Sequence, residues 1–189
     1  AQRTAQFISP DRLFTEGKEL FLKNNYSGCI DKLTSYKSHA DNPELIQEAE
    51  YMIVYSIYMQ GREDSPELLK SYLEDYPDTP HRDRLFFMIG STHFGKEEYE
   101  KAIFWYREAD IDLLNKQAQE EYTYRLAYSL LQTGKPKEAQ AYFRRISQIG
   151  TKYQAPSSYY LAYIDYSNGQ YTEALSEFNR LKANPEYQE

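Results

Sequence analysis

The sequence predicts an all-α fold assembled from helical hairpins. Three observations predict it. Apolar residues recur at spacings of three and four on both sides of short polar breaks, as one face of a helix requires. The breaks carry most of the eight glycines and eight prolines. One hairpin pattern also returns at a near-constant interval along the chain. Its clearest copy runs from Phe86 to Tyr106, with Ile89 and His93 four apart before a polar break and Ala102, Tyr106 and Ala109 four and three apart after it. Small residues stand mid-helix on each side, Gly90 and Ala102, so two backbones can cross closely. A lone hairpin cannot bury its own apolar face and needs neighbours.

In chain order, residues 1–9 have no periodic pattern and read as a tail. The first residue is Ala1, which fits either a cloning boundary or a mature end left by signal-peptide removal. Pro10-Asp11 opens a helix carrying Leu13, Gly17 and Leu20, and Asn24-Asn25 ends it in a tight turn. A second helix follows with Tyr26, Cys29, Ile30, Leu33 and Tyr36, and Asp41-Asn42-Pro43 stops it. Ile46, Ala49, Ile53, Val54 and Ile57 form the next helix, which Gly61 caps. Ser65-Pro66-Glu67 restarts the chain as a helix, with serine as cap and proline where its missing amide hydrogen costs nothing. Leu68, Leu69, Tyr72 and Leu73 give that helix its apolar face, and Tyr76-Pro77-Asp78-Thr79-Pro80 ends it. The hairpin of Phe86 to Tyr106 is the third pair. A fourth has Leu126, Ala127 and Leu130, a turn at Gly134-Lys135-Pro136, then Ala139, Phe143 and Ile146. A fifth has Leu161 and Ala162, a turn at Asn168-Gly169, then Tyr171, Ala174, Leu175, Phe178 and Leu181.

The mid-helix positions Gly17, Val54, Gly90, Ala127 and Ala162 are 37, 36, 37 and 35 residues apart. In four hairpins a small residue of the second helix lies 12 further on, at Cys29, Ala102, Ala139 and Ala174, with a bulky one a turn later at Leu33, Tyr106, Phe143 and Phe178. Together with the prolines that close several hairpins, this pattern resembles the tetratricopeptide repeat (TPR), whose period is near 34 residues. The resemblance covers Pro10 to Glu189, in repeats of about 10–43, 44–80, 81–117, 118–154 and 155–189. The phrases Tyr72-Leu73-Glu74-Asp75-Tyr76-Pro77-Asp78-Thr79-Pro80 and Glu98-Tyr99-Glu100-Lys101-Ala102-Ile103 are similar, more narrowly, to a bacterial cell-envelope subgroup. That subgroup contains the outer-membrane-protein assembly lipoproteins and the Tol-Pal accessory proteins. Repeat two departs from the pattern: Val54 is large for its site, and Leu68, 14 residues on, stands for the small residue. His93 stands where the family usually has an aromatic.

The resemblance implies a right-handed superhelical solenoid whose first helices line a concave groove. Projecting each first helix at about 3.6 residues per turn picks out the face turned away from its paired helix. That face carries Phe14, Lys18 and Phe21 in repeat one, Tyr51, Tyr55 and Tyr58 in repeat two, and Phe87, Ser91 and Phe94 in repeat three. Repeats four and five add Tyr124, Tyr128 and Leu131, then Tyr159, Tyr163 and Tyr166. Tyrosine pairs a flat apolar ring with a hydroxyl that wants a partner, and it concentrates where one end is dry and the other wet. The groove is therefore expected to bind a protein or peptide segment, laid as an extended strand or an amphipathic helix. Its cations are few, chiefly Lys18 and Arg84, so it lacks the basic clamp that chaperone-binding members of the family use for a carboxylate tail. The alternative is an assembly module that acts through the ends of its stack, with the groove rings only filling space.

Composition narrows the classes further. The charge is 22 − 29 = −7 without a basic stripe, which argues against nucleic acid as the partner. No window approaches the roughly 18–20 apolar residues of a membrane span. Twenty tyrosines, nine phenylalanines and one tryptophan are far more than a disordered chain carries. Cys29 is the single cysteine and reads as packing. His39, His81 and His93 lack metal-ligand spacing. Without a phosphate loop or a spaced nucleophile and base, and with acidic pairs such as Glu97-Glu98 and Glu120-Glu121 on solvated turns or helix starts, no enzyme and no cofactor is expected. The subgroup resemblance implies a periplasmic or outer-membrane-associated bacterial protein, with the cytoplasm as the alternative. No polar capping element follows repeat five. The protein is accordingly expected to continue past Glu189, or to cover that end with another copy of itself.

Overall fold

The computed structural model describes residues 9–149 and 151–184. Most of the expected tail and residues 185–189 of the expected fifth repeat lie outside the described residues. Among those residues all regular structure is helical: α1 (Pro10–Leu22), α2 (Tyr26–Lys37), α3 (Pro43–Met59), α4 (Ser65–Asp75), α5 (Arg82–Gly95), α6 (Tyr99–Glu108), α7 (Lys116–Gln132), α8 (Pro136–Ser147), α9 (Gln154–Ser167) and α10 (Tyr171–Ala183), with a 3-10 turn at Ile111–Leu113. The chain forms two compact units, Ala1–Leu85 and Phe86–Glu189.

Four helices begin at a side-chain cap, whereas α4, α6, α8, α9 and α10 have none, and Ser65, expected as a cap, is instead the first residue of α4. Ser9, Asn25, Asn42 and Asn115 each accept a hydrogen bond from a first-turn amide, satisfying a donor that the helix cannot. The turn inside every hairpin is built one way. Asn24, Gly61, Glu97, Gly134 and Gly169 have φ between 57° and 81°. The next amide reaches back across the turn, as in Asn25 N to Leu20 O (2.8 Å), Glu98 N to His93 O (2.9 Å) and Gln170 N to Asp165 O (2.9 Å). This is the Schellman closure, which satisfies carbonyls at the helix end. The five left-handed residues recur at the same 37, 36, 37 and 35 intervals as the mid-helix positions.

In the first unit, α1 crosses α2 at Gly17, where an added Cβ would lie 2.5 Å from Leu33 Cδ2. Cys29, Leu33 and Tyr36 of α2 are buried, as are Ala49, Met52, Ser56 and Ile57 of α3. Repeat two differs from the sequence expectation. Leu68 is only half-buried, and the buried small-then-bulky pair is Ser65 and Leu69. The reason lies in the turn: α4 starts 11 residues after Val54, whereas α2, α6, α8 and α10 start nine after their mid-helix residues. The longer turn presents a different stripe of α4 to α3.

In the second unit, the Gly90 crossing is as close as that at Gly17: a Cβ there would meet Tyr106 Cδ1 at 2.7 Å. Tyr106 is fully buried, and its hydroxyl lies 3.3 Å from Ser91 Oγ. Ala127, Ala139, Phe143 and Ile146 repeat the arrangement in α7 and α8, all with no exposure, and Ala162 and Ala174 repeat it in α9 and α10.

Candidate functional site

The aromatic residues of the first helices are sorted by what covers them. In the first unit, Tyr51 of α3 is 8% exposed and belongs to the core. His81 lies flat on its ring, with centroids 3.5 Å apart and planes 5° apart. That imidazole also meets the Glu48 carboxylate, with Nε2 3.1 Å from Oε2. The Thr79-Pro80-His81 break folds back over α3, with Thr79 Oγ1 3.2 Å from the Tyr72 hydroxyl. Burial, the largest cause, raises the Tyr51 hydroxyl above its ordinary pKa. Tyr55, one turn on, is half-buried in a wetter cluster. Phe21 meets it edge-on at 5.1 Å and Tyr26 at 6.4 Å. The Arg84 guanidinium lies 5.7 Å over the Tyr55 ring and donates to its hydroxyl at 3.3 Å. Phe14 leans on Tyr36 at 5.2 Å, with the Lys18 ammonium 6.0 Å from its ring. Tyr58 is half-buried and Lys18 exposed.

In the second unit, Phe87 is buried against Tyr106, and Ser91 is buried beside the same ring. Phe94, Tyr99 and Tyr128 form a triangle of edge-on rings, with centroids 5.7 to 5.9 Å apart, and Arg125 lies 5.2 Å over Phe94. Tyr128 in turn meets Tyr160 at 5.3 Å, and Tyr160 stacks on Phe143. Tyr124 stacks on Tyr153 at 4.9 Å, and burial pushes its hydroxyl up to about 12. Leu131 is half-buried. On α9, by contrast, Tyr159, Tyr163 and Tyr166 are 49%, 48% and 57% exposed. Tyr159 rests on Tyr160 and Phe178, and Tyr166 on Tyr171, so these two rings are anchored at their edges.

The helical projection thus brings Phe94, Tyr124 and Tyr128 into ring clusters and leaves the α9 tyrosines open. It missed Tyr26, Tyr99, Tyr153 and Tyr160, which complete those clusters. Tyr26, Tyr99 and Tyr171 did carry a signal, since each opens the second helix of its hairpin nine residues after the mid-helix position. Tyr160 carried none, because the matching positions hold Thr15, Met52, Met88 and Arg125.

Burial raises the Cys29 thiol, against a smaller opposite effect from Ser56. No group of three or more His, Cys, Asp or Glu side chains suited to a metal ion occurs among the described residues. No described helix is long and apolar enough to cross a membrane.

These hairpins define a TPR-type helical-repeat scaffold. The chain belongs to the outer membrane lipoprotein family named YfiO, whose profile matches residues 7–110, more than half of its length. A tetratricopeptide-repeat profile matches residues 120–149. Among solved structures, a point mutant of MamA is similar with a TM-score of 0.69 and 18% identity, over 95% of this chain and 94% of that one. MamA AMB-1 is similar at 0.67 and 18%, over 90% and 95%. A Podospora anserina kinesin light chain with nearly identical TPR-like repeats is similar at 0.59 and 13%, over 94% and 96%. At these identities the likeness establishes the fold. No curated protein matches the chain.

Proposed function

We propose that the protein is a non-enzymatic scaffold of five repeats that binds a protein or peptide segment on its exposed first-helix tyrosines, in the envelope of a bacterium. One observation carries the reading. Tyr159, Tyr163 and Tyr166 lie four and three residues apart on α9, each about half exposed, with Tyr159 and Tyr166 held by neighbouring rings. Rigid tyrosines offer large contact area at little cost in rotamer entropy, and their hydroxyls can exchange hydrogen bonds with a ligand backbone. Phe94 and Tyr128 supply further half-buried aromatic surface in the second unit, and Phe21, Tyr55 and Tyr58, with Lys18, supply a half-buried aromatic surface in the first unit. Tyr51 and Phe87 are too deeply packed to touch a ligand without unfolding, and this binding surface leaves them out. The envelope location draws on the outer membrane lipoprotein family to which the chain belongs.

The test uses Tyr163→Ala, because half of that ring is in solvent. Stability should change by no more than about 0.5 kcal/mol, as for an ordinary surface site. Capture of an envelope protein by the immobilised chain should fall at least about tenfold, a loss of about 1.4 kcal/mol. Equal capture by the folded variant and the wild type would overturn the reading.

A further inference from the structure

We propose that a cleft between α7 and α8 binds a carboxylate side chain of an acidic partner segment. The cleft measures about 100 Å³, and Ile146, fully buried, and Ile149, 36% exposed, give it an apolar lining. Lys116 of α7 and Arg145 of α8 bring two exposed cations to it, and Glu120 brings one carboxylate. Neither cation is ion-paired among the described residues, whereas Arg107, Arg125 and Arg180 of the same unit each hold a carboxylate at 2.5 to 2.7 Å. The space is left by Thr123. Its counterpart 37 residues earlier is Phe86, a large ring buried against Trp105 with centroids 5.8 Å apart.

The chemistry of the occupant is read from repeat five. Ser158 and Arg180, 35 residues after Thr123 and Arg145, stand at the same places on α9 and α10. Arg180 donates from Nε and Nη2 to the two oxygens of Glu177, at 2.9 and 2.5 Å, and from Nη2 to Ser158 Oγ at 3.4 Å. An arginine at this repeat position therefore takes a carboxylate in two-pronged fashion, beside a buried hydroxyl. Repeat four keeps the arginine and the hydroxyl, with Thr123 only 4% exposed. The residue matching Glu177 is Tyr142, so the carboxylate is the missing member of the set. An Asp or Glu of the partner supplies it.

Charge favours the same occupant. Two cations against Glu120 leave +1, the complement of a carboxylate, whereas a phosphate monoester carries about −2. Between Glu121 and Asp165 the chain holds six Lys and Arg and a single acid, Glu138, although acids outnumber bases 29 to 22 overall. Glu138 is itself bound to Arg107. An acidic segment is thus drawn to this stretch of an otherwise acidic chain. On α7 the cleft residues Lys116 and Thr123 lie roughly 110° round the helix from Tyr124 and Tyr128. The cleft and the tyrosine surface are therefore separate, and each reading can fail without the other.

The probe is a peptide of six glutamates blocked at both ends, titrated at low salt into the isotope-labelled full chain and followed by NMR. The Arg145 side chain should shift with a Kd of about 0.1 to 5 mM, in the range of a single exposed contact. Arg145→Gln should weaken binding at least about fivefold, and Arg144→Gln, which removes the same charge one residue away, less than about twofold. Glu120→Gln should tighten it. No shift in the wild type at about 10 mM peptide, equal losses from the two arginine variants, or a Glu120→Gln variant that binds no better would overturn the proposal. Displacement of the peptide by inorganic phosphate at a tenth of its concentration would overturn the choice of a carboxylate.

Discussion

Glu97 occupies a backbone position that its side chain disfavours. Its φ is 59°, and the matching residues of the other hairpins are Asn24, Gly61, Gly134 and Gly169. A residue with a Cβ and no short polar side chain loses about 1–2 kcal/mol in that conformation, which glycine adopts without strain. Glu97→Gly should therefore raise stability by about 1 kcal/mol, read from the urea midpoint at constant slope. A lower midpoint would show that Glu97 makes contacts that outweigh the backbone term. The neighbouring Glu98 acts electrostatically. His93 Nδ1 lies 2.6 Å from its carboxylate and Lys101 Nζ 3.0 Å away, and the His93 bond, then Lys101, lowers its pKa from 4.5 to about 2. A carboxylate lowered on folding contributes stability that is present above 4.5 and lost as pH falls through about 2. Glu98→Gln should be less stable than wild type at neutral pH, and the two melting curves should converge near pH 2. A constant gap across that range would refute the linkage.

At the scale of the element, the crossing of α5 and α6 is set by a missing side chain. Gly90→Ala gains about 1 kcal/mol of helix propensity. It also places a methyl 2.7 Å from a Tyr106 ring that has no room to retreat. Overpacking of this kind costs about 1–3 kcal/mol, so net destabilisation is expected in urea. Gly95→Ala in the same helix is the control, since a Cβ there meets nothing within 4 Å, and it should be neutral or stabilising. Equal effects at the two sites would mean that the crossing is looser than drawn. The pairing of helices was legible in the sequence because small and bulky residues recur at a fixed phase. The phase of α4 was not, because Asp64-Ser65-Pro66 permits a helix start at more than one residue and only the turn length decides which stripe faces α3. Glu97 was equally illegible, since nothing in a glutamate announces a left-handed turn.

At the scale of the whole molecule, place in the array decides what a tyrosine does. Tyr51 and Tyr159 hold the same repeat position, three residues before Val54 and Ala162. One is sealed by His81, and the other has Phe178 on one side and solvent on the other. A helical projection sees two identical rings, so it could not sort exposed rings from buried ones. The burial of so many hydroxyls has a measurable consequence at high pH. Burial pushes Tyr122 and Tyr124 up to about 12, and Tyr76 reaches about 12 chiefly because its hydroxyl bonds to the Glu50 carboxylate. Burial also raises Tyr51 and Tyr160. These groups stay neutral on folding, so their contribution to stability is intact below the unfolded value of 10 and disappears as pH climbs through about 12. Phenolate absorbance of the native chain should therefore lag behind that of the urea-unfolded chain, and the late fraction should appear together with the loss of helical circular dichroism. Superposed titrations, with helix content intact until every tyrosine has ionised, would show that the rings seen packed here reach solvent in the native state.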